Sequence, residues 1–179
     1  MATAAASTAA SSADAPSAER QSASVGTTNV GGPTVVAVGD IACKPGDPVT
    51  PARCQQAATA ALAQTYDPRY VLGLGDLQYE KGALTAFANS YDKSWGALKQ
   101  VTRPVPGNHE YRTPEARDYY TYFEDQVSRA EGYYAFGVGS WRVYALNSNC
   151  TLIDCARQAR WLNRQMTNTP RSCSAIMLH

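Results

Sequence analysis

Four apolar, strand-like stretches of this 179-residue chain each stop at a polar residue whose side chain can bind a metal ion. The stretches are residues 35–39, 70–75, 103–107 and 175–178. The residues that follow them are Asp40, Asp76, Asn108-His109 and His179. Buried strands of a parallel sheet have short continuous apolar sequences, and open α/β sheets bind ligands beyond the carboxyl ends of their strands. The pattern therefore predicts a cluster of two carboxylates, an amide and two imidazoles at one sheet edge.

The order of the predicted elements is that of an α/β domain. An Ala-rich helix over 52–64, with residues 50–51 as its N-cap and first position, separates the first two strands. Two strands joined by such a helix should be parallel, with a right-handed crossover. A second helix is predicted over 84–98, before a short strand that starts near Val101 and ends at a turn at 106–107.

The second half of the chain predicts an antiparallel hairpin between helices. Residues 133–136 and 141–146 flank the turn sequence Gly-Val-Gly-Ser, which favours a hairpin. Helices are predicted over 115–123 and 156–166, and a last strand over 174–178. The aromatic side chains of the first of these helices could fill the core or line the mouth of a pocket. They are Tyr119, Tyr120, Tyr122 and Phe123.

The first part of the chain has a different composition from the rest. Residues 1–32 are mainly Ala, Ser, Thr and Gly, with almost no large apolar side chain. Such a segment cannot offset the entropy lost on ordering, so we expect a flexible leader and a folded domain over 33–179. The leader lacks the basic start and apolar centre of a signal peptide.

Charge and hydropathy argue against two classes of partner. Lys and Arg number 16, and Asp and Glu number 15, so the chain has almost no net charge. No basic run is present to attract nucleic acid or a membrane surface, and no apolar stretch approaches the length of a membrane span.

The five cysteines indicate the compartment. Cys43 and Cys54 lie on either side of a loop that contains Pro, Gly and Asp, and Cys150 and Cys155 are close in sequence. Two local pairs are typical of disulfides in oxidising surroundings, which predicts a secreted or extracellular protein. Cys173 is left without an evident partner. The alternative is a set of thiolate zinc ligands, but the chain has no Cys-x-x-Cys pair.

The polar strand ends resemble the sequence blocks of the calcineurin-like metallophosphoesterases. Residues 39–40, 75–76 and 107–110 are similar to the first three blocks of that family, and 176–179 resembles the apolar stretch ending in His of the fourth. The run Gly-Asp-Leu-Gln-Tyr at 75–79 also resembles the Gly-Asp-x-x-Tyr block of the purple acid phosphatase branch. The similarity covers residues 34–179 and is closest to secreted bacterial members.

The resemblance implies a β-sandwich flanked by helices, with a site for two metal ions. Asp40 would bind the first ion, Asp76 would bridge both ions, and Asn108 and His179 would bind the second. His109 would not be a ligand and would lie over the leaving group as the general acid.

The family chemistry is hydrolysis of a phosphate ester. Two nearby cations can hold the attacking and leaving oxygens of an in-line displacement. The resemblance therefore implies a small phosphorylated substrate, a phosphomonoester, that is hydrolysed by a hydroxide bridging the two metal ions. Carboxylate, imidazole and amide ligands are compatible with Zn, Mn or Fe. Tyr79 would be a phenolate ligand of the first ion, which favours ferric iron, or else a packed aromatic residue.

Two features depart from the family pattern. Ala42 stands where many members have a histidine of the first block, so the first ion needs Tyr79 or another group instead. The final Gly-His-x-His block has no counterpart, which predicts a domain that is incomplete at its C terminus. The alternatives to an active phosphoesterase are therefore an inactive truncated fragment and an extracellular binding module held by disulfides.

Overall fold

The computed structural model describes residues 31–127, 132–169 and 173–179. Strands within these ranges form two three-stranded sheets flanked by helices, which is a mixed α/β architecture. Gly31–His179 form one unit. All but two residues of the predicted leader lie outside the described residues. None of the described helices combines the length and the apolar character needed to cross a lipid bilayer.

The first sheet carries three of the four polar strand ends. It contains β1 (Val35–Val38), β2 (Tyr70–Leu74) and β3 (Thr102–Val105), in the order β1-β2-β3. Both pairs of neighbouring strands are parallel, as predicted for the first two. Pro104 is tolerated in β3 because an edge strand does not need every N–H for its ladder.

The second sheet contains the predicted hairpin and the last strand. It consists of β4 (Tyr134–Val138), β5 (Trp141–Ala145) and β6 (Cys173–Met177), with β4 and β5 antiparallel and β5 and β6 parallel. The hairpin is confirmed, but its turn is shorter than expected because Gly137 and Val138 belong to β4. Gly139 has φ +57°, a value that glycine adopts without steric cost.

The helix after β1 starts later than predicted. Helix α1 spans Gln56–Gln64, so the expected start at residue 52 and the cap at 50–51 are wrong. Thr50 and Arg53 instead exchange backbone hydrogen bonds, and Cys54 has φ +61°. A disulfide joins Cys54 to Cys43, so the chain turns back here before the helix can begin.

The predicted helix over 84–98 is a succession of short helical turns. Helix α2 (Leu84–Ala86), a π-helical turn (Phe87–Tyr91), helix α3 (Asp92–Ser94) and a 3-10 turn (Gly96–Val101) follow each other. The N–H of Tyr91 donates to the side-chain oxygen of Gln78 at 3.0 Å, and the N–H of Asp92 reaches the carbonyl of Phe87. The long-range hydrogen bond to Gln78 therefore accounts for the π-turn, which sequence periodicity does not predict.

The two remaining helices differ in how well they were predicted. Helix α4 spans Arg117–Tyr122, and Glu115 before it has φ +54°, so the expected start at residue 115 is wrong. Helix α5 spans Cys155–Asn168 and includes the whole predicted segment. The carboxylate of Asp154 accepts the N–H of Arg157 at 2.9 Å and caps its first turn.

Within the described residues, three hydrophobic clusters hold these elements together. Tyr119 and Phe123 are fully buried in the first cluster, so the aromatic residues of α4 belong to the core. The second cluster joins Val105 of β3 to Val143 of β5 and Met177 of β6. The two sheets therefore pack against each other, and β6 carries the chain towards the carboxyl ends of the first sheet.

Candidate metal centre

The first two polar strand ends have the same backbone form. Asp40 follows β1 with φ +53°, and Asp76 follows β2 with φ +47°. The N–H of Asp40 donates to the carbonyl of Gly75, and the N–H of Ile41 donates to that of Asp76, both at 3.1 Å. Left-handed conformations are uncommon outside glycine, but aspartate is among the residues that tolerate them. Backbone pairing thus continues past both strands and holds the two carboxylates side by side.

The Asp76 carboxylate has one oxygen engaged and one directed at its neighbours. Its Oδ1 atom accepts the N–H of His109 at 2.8 Å. Its Oδ2 atom lies 3.3 Å from the Tyr79 hydroxyl, 3.7 Å from Nε2 of His179 and 3.8 Å from Nε2 of His109. The residue is 3% exposed. Side chains from three parts of the chain therefore converge on one buried carboxylate oxygen.

The ring of His179 is oriented by the end of β2. Its Nδ1 atom lies 2.9 Å from the carbonyl oxygen of Leu74, which can only accept, so Nδ1 carries the proton. The other ring nitrogen, Nε2, lies 3.2 Å from Oδ1 of Asn108 and 3.7 Å from Oδ2 of Asp76. In the neutral form of the ring Nε2 carries a lone pair, and three electron-rich atoms that face one another favour a cation between them. A backbone carbonyl behind the ring is the usual support of a metal-binding histidine.

Two of the spacings between these atoms match those between neighbouring ligands of a transition-metal ion. Two ligand atoms that each lie about 2.1 Å from an ion, at octahedral or tetrahedral angles, are roughly 3.0–3.4 Å apart. Tyr79 and Asp76 are separated by 3.3 Å, and His179 and Asn108 by 3.2 Å, between their nearest side-chain polar atoms. Asp76 is common to both groups. The donor types and these two spacings therefore suit a cation bound beside the Asp76 carboxylate.

Tyr79 joins the two acidic strand ends. Its hydroxyl donates to Oδ1 of Asp40 at 2.5 Å and contacts Oδ2 of Asp76. Burial, the bond to Asp40 and the negative charge of Asp76 all raise the pKa of this phenol. Its ring meets the edge of the His109 ring at a centroid distance of 4.4 Å. The hydroxyl thus faces the carboxylates, where a cation would offset the raised pKa, and does not lie in the apolar core.

His109 is held differently from His179. Its Nδ1 atom lies 2.7 Å from the carbonyl oxygen of Glu80, so this nitrogen is the donor. Its Nε2 atom is 3.8 Å from Asp76, beyond hydrogen-bond distance. The ring therefore borders the carboxylate cluster with Nε2 directed towards it, and that nitrogen can carry a proton to a bound molecule.

Glu110 also belongs to the site, although the sequence patterns predicted no role for it. It is fully buried, and its carboxylate accepts the N–H groups of Asp76, Leu77, Gln78 and Gly107 at 2.8–3.2 Å. Burial is the largest influence on the pKa of this carboxyl and raises it, while the backbone donors act in the opposite direction. Its position next to His109 in the Gly-Asn-His-Glu block is the sequence feature that could have identified it. One buried carboxylate thus ties the loop after β2 to the loop after β3.

Close approach of those two loops requires a glycine at position 107. A Cβ atom on Gly107 would lie 2.2 Å from Oδ1 of Asp76 and 2.4 Å from its backbone nitrogen. No side chain fits there without displacing the carboxylate. The glycine that precedes Asn108 therefore sets the geometry of the second and third polar strand ends.

A separate group of side chains outside the strand ends satisfies a distance criterion for metal binding but lacks suitable chemistry. Ligand atoms of Cys43, Asp47 and Cys54 all lie within 4.8 Å of one another. The two sulfur atoms form a disulfide, and the carboxylate pairs with Arg53 at 3.2 Å. Metal ions bind thiolate sulfur and not disulfide sulfur. In the oxidised protein the two cysteines therefore form a covalent cross-link and cannot act as metal ligands.

No protein-family model matches this chain, and no curated protein matches it. Functional inference therefore depends on the chemistry of the cluster itself.

Proposed function

We propose that this chain is a metal-dependent phosphoesterase of the calcineurin-like type that hydrolyses small phosphomonoesters with two metal ions. Asp40, Asp76 and Tyr79 would hold one ion, and Asp76, Asn108 and His179 the other. Iron, zinc and manganese all suit this mixture of carboxylate, amide, phenol and imidazole ligands. The packing of a parallel sheet on a mixed sheet is compatible with the sandwich expected for that family.

The observation that carries the proposal is the convergence of acceptor atoms at His179. Its Nε2 atom, directed by the bond from Nδ1 to Leu74, faces Asn108 at 3.2 Å and Asp76 at 3.7 Å. A buried carboxylate needs a positive partner, and the neighbours that can pair with Asp76 among the described residues are His109 and His179, which are charged only when protonated. With both rings neutral, a bound cation would supply the charge.

Each side chain would have a separate task in ester hydrolysis. Metal ions held by these ligands would supply the positive charge that polarises the phosphoryl oxygens and acidifies the attacking water. The Glu80 carbonyl holds the Nδ1 proton of His109, so a second proton on this ring would be at Nε2, beside the cluster. That proton can pass to the leaving-group oxygen as its bond to phosphorus breaks.

We also propose that the chain works in an oxidising compartment outside the cytosol. Both predicted disulfides are present, Cys43–Cys54 and Cys150–Cys155, and Cys173 is the free cysteine. Such bonds persist in secreted proteins and are rare in the cytosol. The two bonds are consistent with secretion.

The test is hydrolysis of a chromogenic phosphomonoester by the purified chain supplied with Mn, Zn or Fe. We expect turnover in the parent and a loss of about a hundredfold or more in Asp76→Asn, which keeps the size but removes the shared charge. Circular dichroism of both proteins should coincide. Equal turnover in the two proteins would overturn the proposal. Absence of turnover from folded, metal-loaded parent would favour the alternative of a non-catalytic extracellular binding module.

The role of His109 has its own test in the choice of leaving group. A poor leaving group such as an alkoxide depends on a proton donor, whereas a nitrophenolate depends on one much less. His109→Ala should therefore reduce kcat about a hundredfold or more with an alkyl phosphate and much less with the nitrophenyl ester. An equal loss on both substrates would assign His109 a role in binding and not in proton transfer.

A further inference from the structure

A basic cleft lies directly beside the proposed metal centre. It has a volume of about 710 Å³, and its walls include Tyr79 and Glu80, which also border the carboxylate cluster. Three cationic side chains line it: Lys44, Lys81 and Arg112. The chain as a whole carries almost no net charge, so this concentration of positive charge is local.

Two of the three cations have no acidic partner among the described residues. Arg112 pairs with Glu80 at 3.3 Å between the guanidinium and the carboxylate. Lys44 and Lys81 form no ion pair in the part of the chain that the structure describes, and both are exposed. The cleft thus has two more cations than carboxylates. A phosphate group at neutral pH carries roughly −1.5 to −2 charges, so this excess of positive charge matches one phosphate group.

One backbone oxygen links this cleft to the residue proposed to protonate the leaving group. The carbonyl of Glu80 accepts from Nδ1 of His109 at 2.7 Å and from Nη1 of Arg112 at 3.2 Å. The guanidinium and the imidazole therefore lie next to each other. Tyr79 lines the cleft and also contacts Asp40 and Asp76, so a leaving group that extends past Tyr79 from the metal centre would enter the cleft.

The backbone that precedes Lys44 is anchored, so the position from which the Lys44 side chain enters the cleft is fixed. The carbonyl of Cys43 accepts from Nε2 of Gln78 at 3.0 Å and from the hydroxyl of Ser90 at 2.7 Å. The Cys43–Cys54 disulfide holds the same residue from the other side. Cationic groups on an anchored loop lose less entropy on binding an anion than groups on a free one.

We infer that the preferred substrate is a phosphomonoester whose leaving group carries a second phosphate, bound in the cleft by Lys44, Lys81 and Arg112. This inference rests on the proposed phosphoesterase function and specifies its substrate class. The second phosphate is not cleaved in that binding mode. It contributes charge-assisted hydrogen bonds that orient the ester at the metal centre.

The test compares alkanediol bisphosphates of three and six carbons with the matching monoalkyl phosphates. We expect kcat/KM of the parent to be about tenfold or more higher for one of the bisphosphates than for its matching monoalkyl phosphate, because one charge-assisted contact contributes a factor of about that size. The double variant Lys44→Ala, Lys81→Ala should lose this preference. Lys93→Ala removes an exposed lysine outside the cleft and should keep it. An ω-carboxyalkyl phosphate tests whether a carboxylate can replace the second phosphate.

Calorimetric binding of the same bisphosphates separates this inference from the proposed function. Binding that the double variant loses, with no turnover on any ester, would support the anion site and reject the phosphoesterase. Turnover with equal kcat/KM for the bisphosphates and monophosphates would reject the second-phosphate site and leave the phosphoesterase standing. Equal preference for the ω-carboxyalkyl ester would overturn the assignment to phosphate. Neither binding nor turnover, from protein that melts like the parent, would overturn both.

Discussion

The buried carboxylate of Glu110 accepts the backbone N–H of Asp76 at 2.9 Å. It accepts three further N–H groups and is fully enclosed, so each of its oxygens receives two donors. Asp76 is also the residue on which the candidate metal ligands converge. The position of the proposed shared ligand therefore depends on a neighbouring acid whose two oxygens are occupied by backbone donors.

Replacing Glu110 by glutamine should strongly destabilise the protein. One oxygen becomes an NH₂ group that faces two backbone donors, and each buried donor left without a partner costs about 1–3 kcal/mol. We expect a loss of roughly 2–5 kcal/mol in the free energy of unfolding, measured by urea denaturation. Glu80→Gln is the control, because the Glu80 side chain is half exposed and its pair with Arg112 is worth about 1 kcal/mol or less. Similar losses in both variants would contradict this account of Glu110.

The two histidines should differ in their effect on metal affinity. His179→Ala removes an Nε2 lone pair that faces Asn108 and Asp76, and should weaken binding of Zn or Mn by at least about a hundredfold. His109→Ala should change the affinity by only a few-fold, because its ring has no assigned ligand role. Competition with a chromogenic chelator measures both constants. A larger loss on changing His109 would require the ligand assignments to be exchanged.

Gly107→Ala should displace the Asp76 carboxylate. The added methyl group would come within 2.2 Å of Oδ1 of Asp76, so the loop after β2 or β3 has to move. We expect weaker metal binding, and a stability loss of about 1–3 kcal/mol that is typical of overpacking. Gly137→Ala is the matched control, because its nearest neighbour would be a backbone oxygen at 4.0 Å. Unaltered metal affinity in Gly107→Ala would show that the loops have room to separate.

Reduction should affect the two disulfides unequally. Cys43–Cys54 spans 11 positions and Cys150–Cys155 spans 5. Loop-closure entropy therefore predicts that removing the first disulfide lowers the free energy of unfolding by about 3 kcal/mol and removing the second lowers it by about 2 kcal/mol. Paired Cys→Ser variants and urea denaturation measure these values. Alkylation without reductant should modify Cys173 and leave the other four unmodified. A second modified cysteine would exclude one of the bridges.

The local chemistry of the chain was largely predictable. Apolar runs before Asp40 and Asp76 predicted parallel strands, and the spacing of Cys43 from Cys54 predicted a local disulfide. The start of α1 was not predictable in this way, because the disulfide and the turn at Thr50 override the helix preference of residues 52–55. The π-turn at Phe87–Tyr91 likewise depends on a side chain, Gln78, that is remote in sequence.

The sequence by itself determined which polar groups lie at the strand ends, because strand periodicity and glycine turns are local properties of the chain. Only the tertiary structure decided what those groups do together. It showed that Leu74 orients His179 across a separation of 105 positions, that Glu80 serves both His109 and Arg112, and that Glu110 anchors Asp76. Such contacts join residues from different strands and loops, so they exist only once the sheets have packed and the buried polar groups have found their partners.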